Sequence, residues 1–429
     1  MIHINIDKQQ ILGKIKPMNC INNFPSMSNL FNDSFKELNI PYSRLHDTAM
    51  LNAHLVDICA VFPNIDADEN DENSYDFVFT DYFIKRLYDL GTQVFYRLGA
   101  SIENYQSIKP YNIYPPKDYK KWANICEHII MHYNEGWNNG FYFGLKYWEI
   151  WNEPENYPDI ADNQMWKGTF EEFMDLYEIT SNHLKACFPE LKIGGYSSCG
   201  FYAIFEEKSA EQANSTSRTD YFIECIEKFL KHISSEKHKS PLDFFSWHSY
   251  SGVKINIAYA RYCRKLLDKY GFYDTESNLN EWNTGIQLRG TLQDSSNILA
   301  NMLALQNEPL DMLMYYDIRL ESAYCGLYNP INNGAFKAYY SFKAFSYLAE
   351  IGTQVKTEVK GEVVYAISAY DGKKGLCLIT NNSEKCNDFS IKGINIKEIY
   401  ILSDEKNLEK INNINELYLK SFESVLIKF

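Results

Sequence analysis

The sequence predicts an α/β chain, a closed (β/α)8 TIM barrel followed by a small C-terminal β-sandwich-like domain. Three observations carry this. Over residues 13–351, short β-rich runs alternate with longer segments of helical period. The G-x-G-x-x-G turn that would mark an open doubly wound sheet after its first strand is absent. From about residue 352 the helical segments give way to short strands and turns.

The first element, residues 1–12, alternates Ile2, Ile4 and Ile6 and reads as a strand. It does not fit the barrel rhythm and is expected to pair with the C-terminal β domain. Eight strand candidates follow, at 15–21, 42–46, 93–99, 145–153, 191–197, 243–250, 276–282 and 311–318. Between them, residues 76–90 carry Phe77, Phe83, Ile84, Leu87 and Leu90 at helical spacing and stop at Gly91. Residues 169–188 open with Thr169 and Glu172 in capping-box spacing and stop before Pro189. Helices are also expected over 254–270 before Gly271, 295–307 before Pro309, and 335–351 before Gly352. Eight strand–helix units in this length point to barrel closure. The last domain, 352–429, offers strands at 363–369, 375–380, 396–402 and 425–429, with turns at Asp371-Gly372 and Asn381-Asn382.

Composition limits the function. A net charge of −14 excludes a phosphate-tracking nucleic-acid groove and adsorption to anionic membranes. The start lacks the apolar core of a signal peptide, and no apolar run approaches the roughly 18 residues of a spanning helix. The ten cysteines are scattered without a C-x-x-C pair and read as reduced thiols, hence a cytoplasmic location. The sequons at Asn32, Asn214 and Asn381 are then chance matches. Aromatics reach 15%, which serves a stacking surface or a well-filled core equally. In the acidic stretch 66–76, Asp66, Asp68 and Asn70 imitate a calcium loop. Asp71 stands where that loop needs Gly and Phe77 where it needs Glu, so it reads as a solvated loop.

Two segments carry chemistry. In Trp151-Asn152-Glu153-Pro154 a β run ends in a glutamate that Pro154 keeps out of the helical region, at the strand end where barrel chemistry sits. In Leu279-Asn280-Glu281-Trp282-Asn283 a second strand ends the same way. By strand count Glu153 ends the fourth barrel strand and Glu281 the seventh, facing across the mouth. Glycosidic cleavage needs such a pair, one carboxyl protonated to donate to the leaving oxygen and one ionised to attack or to activate water. Each glutamate alone reads equally well as a turn or a solvated strand end. Their shared setting favours function. Arg44 and His46 end the second strand, Ser246 to Tyr250 the sixth, and Tyr315, Tyr316 and Asp317 the eighth. A tyrosine, histidine or arginine there can hold a carboxylate ionised. His248 by itself would pass for a core histidine. Trp148, Trp151, Trp247 and Trp282 lie on or beside these strand ends, placed for sugar stacking or for packing. Other chemistries lack parts. Gly195-Tyr196-Ser197-Ser198-Cys199 misses the last glycine of a nucleophile elbow, and His128 and His132 share a helix face without a third metal ligand.

These segments resemble glycoside hydrolase family 39, which includes β-xylosidases and α-L-iduronidases, within the clan of retaining (β/α)8 glycosidases. The resemblance spans roughly residues 14–353, with a similar β domain after it, and Pro17 to Pro25 with Asn22-Asn23 looks like the family's opening. It implies Glu153 as acid/base and Glu281 as nucleophile, Asn152 on the sugar 2-hydroxyl, His248 and Tyr250 lining the −1 subsite, and Arg44 and His46 at its floor. Met18-Asn19-Cys20-Ile21 and Tyr316-Asp317-Ile318-Arg319 depart from the family's pattern, and both shape the sugar pocket. The expectation is a retaining exo-glycosidase on short oligosaccharides, β-xylosidase first, with no cofactor and no metal. Trp282 and Tyr316 are expected to join the residues that bind the glycoside. An α-L-iduronidase-like enzyme or an arabinosidase is the alternative, with Arg289 or Arg319 to meet a uronic acid. A non-catalytic carbohydrate-binding barrel is the rival from another class. Assembly into a homo-oligomer is left open.

Overall fold

The structure, a computed structural model, describes residues 1–26, 28–48, 54–103, 112–205, 217–320, 322, 325–411 and 417–429. Asn214 of the three sequons lies outside them. The first strand, β1 (Ile2–Lys14), precedes eight short strands: β2 (Cys20–Asn22), β3 (Tyr42–Leu45), β4 (Gln93–Leu98), β5 (Tyr147–Ile150), β6 (Lys192–Ser198), β7 (Phe244–His248), β8 (Glu276–Trp282) and β9 (Met312–Tyr315). Each of these eight pairs in parallel with the next, and β9 returns to β2 through Cys20↔Met314 and Ile21↔Tyr315, closing the barrel.

Local sequence explains the helix ends. Thr169 accepts the Glu172 backbone N–H at 3.1 Å while the Glu172 carboxylate accepts the Thr169 N–H at 2.7 Å, so the helix Phe170–Cys187 starts in a complete capping box. Gly352 ends Lys337–Ile351 with a φ of 80°, a conformation open to glycine. The helix expected from 295 begins earlier, at Leu292, because the Thr291 side chain accepts the Asp294 N–H and caps it there. The strand expected over 145–153 stops at Ile150, since Trp151 takes a φ of 70° and turns the chain across the mouth.

The barrel interior is layered. Near the strand starts, Cys20, Phe95, Tyr147, Phe244, Met312 and Met314 form an apolar plug. One inward position further along, Arg44, Glu149, Ser197, Ser246 and Asn280 are buried and polar. Glu153 and Glu281 stand at the rim above that layer. Outward-facing residues pack under the helices in one large core that includes Trp148, Trp247 and Trp282.

The C-terminal strands are β10 (Thr353–Lys360), β11 (Val364–Tyr370), β12 (Gly375–Asn381), β13 (Asn387–Lys392), β14 (Glu398–Leu402), β15 (Asn407–Ile411), β16 (Leu417–Leu419) and β17 (Ser424–Lys428). They form one curled mixed sheet in the order β15-β14-β17-β12-β11-β10-β1-β13-β16. β1 sits inside it, antiparallel to β10 and parallel to β13. Period-two alternation gives the sheet two uses. Ile2, Ile4, Ile6, Cys377, Ile379, Val425 and Ile427 fill its own core, while Ile367, Ala369, Leu376, Leu378 and Leu426 join the barrel core. Among the described residues no helix is long and apolar enough to cross a membrane.

Candidate active site

Arg44 is the centre of the polar layer and is fully buried. Its Nε donates to Glu149 Oε2 at 2.6 Å, its Nη1 to Glu281 Oε1 at 2.8 Å, and its Nη2 to Asn152 Oδ1 at 2.6 Å and Ser197 Oγ at 2.8 Å. Burial opposes the Arg44 charge, but Glu149 and Glu281 overcome this and raise the guanidinium above its ordinary value. Glu149 Oε1 accepts from Ser197 Oγ, Ser246 Oγ and the Asn280 amide at 2.6–2.7 Å. A charged pair is tolerable inside a barrel only with such saturation of its remaining lone pairs.

Two bulges build this layer. Pairing of β7 with β8 jumps from Trp247↔Leu279 to His248↔Glu281, leaving Asn280 over. Consecutive residues therefore both face inward: Asn280 reaches down to Glu149, and Glu281 stands at the rim. β6 carries a similar jump between Gly195 and Ser198, and Ser197 has a φ of 55°. That aims Ser197 Oγ at Arg44 and Glu149, so the near-elbow serine is spent on the buried network. After the β8 bulge, Trp282 turns outward. Its ring packs against Tyr315 with 5.3 Å between centroids, outside the cleft lining.

At the rim, Glu281 accepts the Tyr250 hydroxyl at 2.8 Å on Oε2, the oxygen opposite the Arg44 contact. Glu153 has a φ of 43°, a left-handed turn rather than extended chain, and its N–H donates to Ser197 O at 3.0 Å. Its Oε1 lies 2.7 Å from His248 Nδ1, and its Oε2 accepts the Asn156 amide at 2.7 Å. His248 Nδ1 also lies 3.4 Å from Glu281 Oε2. Carboxyl oxygens of Glu153 and Glu281 lie within 4.8 Å of each other. Burial raises Glu153, but the His248 hydrogen bond and charge, with Asn156, outweigh it and hold that carboxyl below the usual glutamate value. Burial raises Glu281. His248 and Arg44 pull it back, Glu153 pushes it further up, and the net direction is upward.

The cleft over this pair has a volume of about 450 Å³, and His46, Asp47, Asn152, Tyr250 and Tyr316 line it with the two glutamates. Eight of the nine site residues expected from sequence thus meet around one cavity. Arg44 and His248 act from behind its wall, and Trp282 stands apart. Burial and the neighbouring Arg97, Arg44, His248 and Arg319 push His46 well below the usual histidine value, so its ring is neutral. Tyr316 donates to Asp47 at 3.3 Å. Arg319 is turned into the wall, bonded to the Asp317 carboxylate and the Asp47 carbonyl. Arg289 lies over the Phe336 ring, outside the cleft lining. Composition and period did not point to Glu149, Asn156 or Asp47. The one available signal was a charged residue inside an otherwise apolar parallel strand, Tyr147-Trp148-Glu149-Ile150.

The profile of glycosyl hydrolases family 39 matches residues 2–300. A beta-xylosidase of Geobacillus stearothermophilus is 25% identical over 207 residues, 46% of this chain and 35% of that protein, so the match spans about a third of its length. A beta-xylosidase of Caldicellulosiruptor saccharolyticus is 23% identical over 457 residues, covering 94% of this chain and 84% of the other. In three dimensions the chain resembles a glucosidase from Croceicoccus marinus, with a TM-score of 0.79 at 17% identity over 100% of this chain and 98% of the other. It also resembles a monomeric beta-xylosidase from Caulobacter crescentus CB15, with a TM-score of 0.70 at 14% identity over 99% of both chains. At these identities the structural likeness shows the barrel and its appended sheet alone.

Proposed function

The chain belongs to glycosyl hydrolase family 39 and is a glycoside hydrolase, and from that premise we propose a retaining exo-glycosidase of short oligosaccharides, with β-xylosidase the preferred activity. The observation that carries the mechanism is that one carboxyl oxygen of Glu153 and one of Glu281 both meet His248 Nδ1, at 2.7 and 3.4 Å, and lie within 4.8 Å of each other. Retaining sites hold their carboxyls about 5–5.5 Å apart, whereas inverting sites need roughly 6.5–9.5 Å to admit a water.

Glu281 attacks the anomeric carbon while Glu153 protonates the departing glycosidic oxygen. Arg44 and Tyr250 both donate to Glu281, which offsets part of the burial that raises it and aims its lone pair. His248 Nδ1, 2.7 Å from Glu153 Oε1, is within reach to exchange a proton with the acid. Once the glycosyl ester forms, Glu281 carries no charge. Removal of that like charge lowers Glu153 further, which suits it to take a proton from the incoming water. Asn152, fixed by Arg44, presents its amide beside the pair, and His46 and Tyr316 line the sugar pocket.

A neutral sugar fits better than a uronic acid. The described cleft lining carries three carboxylates, Asp47, Glu153 and Glu281, and no lysine or arginine. Arg319 and Arg289 are engaged elsewhere. This favours a xylosidase over an iduronidase-like activity. The proposal includes a cytoplasmic location, on the reading of the ten scattered cysteines as reduced thiols.

The test is Glu281→Ala on an aryl β-xyloside. Turnover should fall roughly 10⁴–10⁶-fold, and added azide should restore it with an inverted glycosyl azide as product. Normal activity in this variant would sink the mechanism. A wild type active on uronides and inactive on xylosides would sink the sugar assignment.

A further inference from the structure

A second cavity, of about 500 Å³, lies between the barrel mouth and the C-terminal sheet. It shares two wall residues, Tyr250 and Asn283, with the catalytic cleft. Tyr250 follows β7, its hydroxyl bonded to Glu281, and the residue is 46% exposed. It therefore forms a partition, with one edge on the nucleophile and a side open to the neighbouring crevice. The far wall belongs to the sheet and includes Val363, Tyr365 and Asn382.

The chemistry of the two cavities differs. Among its described lining residues the crevice has no carboxylate and a single cation, Lys254, with four asparagines and two tyrosines. Amides satisfy hydroxyls without charge, and phenol rings offer flat apolar faces. That combination suits a neutral sugar ring, which is polar at its rim and apolar on its faces. The volume falls in the roughly 300–1,000 Å³ range of small-molecule sites.

The far wall is also held in place before any ligand arrives. Asn382 donates to Asn297 Oδ1 at 2.6 Å and to Ser296 Oγ at 3.2 Å, while its backbone N–H bonds Val363 O at 2.9 Å. Ser296 Oγ lies 2.8 Å from Thr380 Oγ1. These bonds lock the rim of the sheet to the helix Leu292–Leu305. Val363 adopts a φ of 56°, a costly conformation for a β-branched residue, at the turn that faces the crevice.

We propose that this crevice binds the leaving-group portion of a neutral oligosaccharide, so that the C-terminal sheet is part of the substrate site. The inference rests on the exo-glycosidase reading, since only the leaving-group side of an exo substrate extends beyond the cleaved sugar. Its test compares kcat/KM on xylotriose with kcat/KM on 4-nitrophenyl β-xyloside, for wild type and Tyr365→Ala. The ratio of the two should fall about tenfold in the variant, through KM on the trisaccharide. An unchanged ratio in a folded Tyr365→Ala protein overturns the crevice assignment. Should that variant fail to fold, Lys254→Ala, at an exposed position of the same lining, is read in the same way. The two proposals fail separately. A wild type that releases internal fragments, or cleaves neither probe, overturns the exo-glycosidase reading. A wild type that trims single sugars, with a ratio indifferent to both substitutions, overturns the crevice alone.

Discussion

Glu281 and Glu153 face each other across one cleft, yet the ground behind them differs. Behind Glu281 lies the buried lattice of Arg44, Glu149, Ser197, Ser246 and Asn280, drawn from strands β3, β5, β6, β7 and β8. Glu153 stands on a left-handed turn after β5, held by His248 and Asn156, with a proton-sharing contact as its main restraint. A nucleophile must present one fixed lone pair to a carbon. An acid that becomes a base must exchange a proton twice per turnover. The rigid wall and the titrating wall match those two demands.

Breaking the rigid wall should have the largest effect. Arg44→Met strands two buried carboxylates, Glu149 and Glu281, and should cost roughly 3–5 kcal/mol of stability, measured by denaturant unfolding, along with most activity. Arg44→Lys should recover little, because an ammonium cannot reproduce a planar fork spread over five partners, Asn22 included. A stable and active Arg44→Met protein would remove the distinction between the walls.

The titrating wall is tested by pH. The proposed mechanism needs Glu281 ionised and Glu153 protonated. Burial raises Glu281 and His248 lowers Glu153, so the reactive form is a minor one in the free enzyme, the acid limb of kcat/KM follows Glu153 and the alkaline limb follows Glu281. His248→Phe removes the contact that holds Glu153 down and a charge that holds Glu281 down. Both limbs of kcat/KM should then move to higher pH. An acid limb that moves downward would show that His248 does not lower Glu153.

The smallest effect on activity is expected at Trp282, next to Glu281 in sequence but on the other side of the strand. Trp282→Phe should cost about 1–3 kcal/mol in packing and leave kcat/KM on aryl glycosides nearly intact. A large loss of kcat with stability preserved would place its ring in the cleft after all.

The same strand shows what could be read from sequence. Alternation of apolar runs with helical segments located the eight barrel strands to within a few residues, because strand and helix periods are written locally. The Thr169–Glu172 cap was legible for the same reason. Glu153 and Glu281 were legible because each ends a strand beside a proline or an asparagine. The lattice was not, because its members lie on five strands and meet only when the barrel closes. The β8 bulge was also hidden. It adds one residue to the inward face, so strict alternation misplaces Asn280 and Trp282 together. The tryptophan beside Glu281 looked like a stacking platform, whereas the partly exposed aromatic residue at the mouth is Tyr250.

The pairing of β1 sets an order of events during synthesis. β1 leaves the ribosome before the barrel strands, while its partners β10 and β13 are made some 350 residues later. At about 5–20 residues per second, the row Ile2, Ile4 and Ile6 waits roughly 20–70 s for its neighbours. All eight barrel strands emerge within that interval. The last sheet is therefore completed by a strand already tethered to a finished barrel, which shortens the search for its partners to the reach of the 15–19 segment. Until then an unpaired apolar edge stands open to neighbouring nascent chains, making the interval before β10 appears the period of greatest exposure to aggregation.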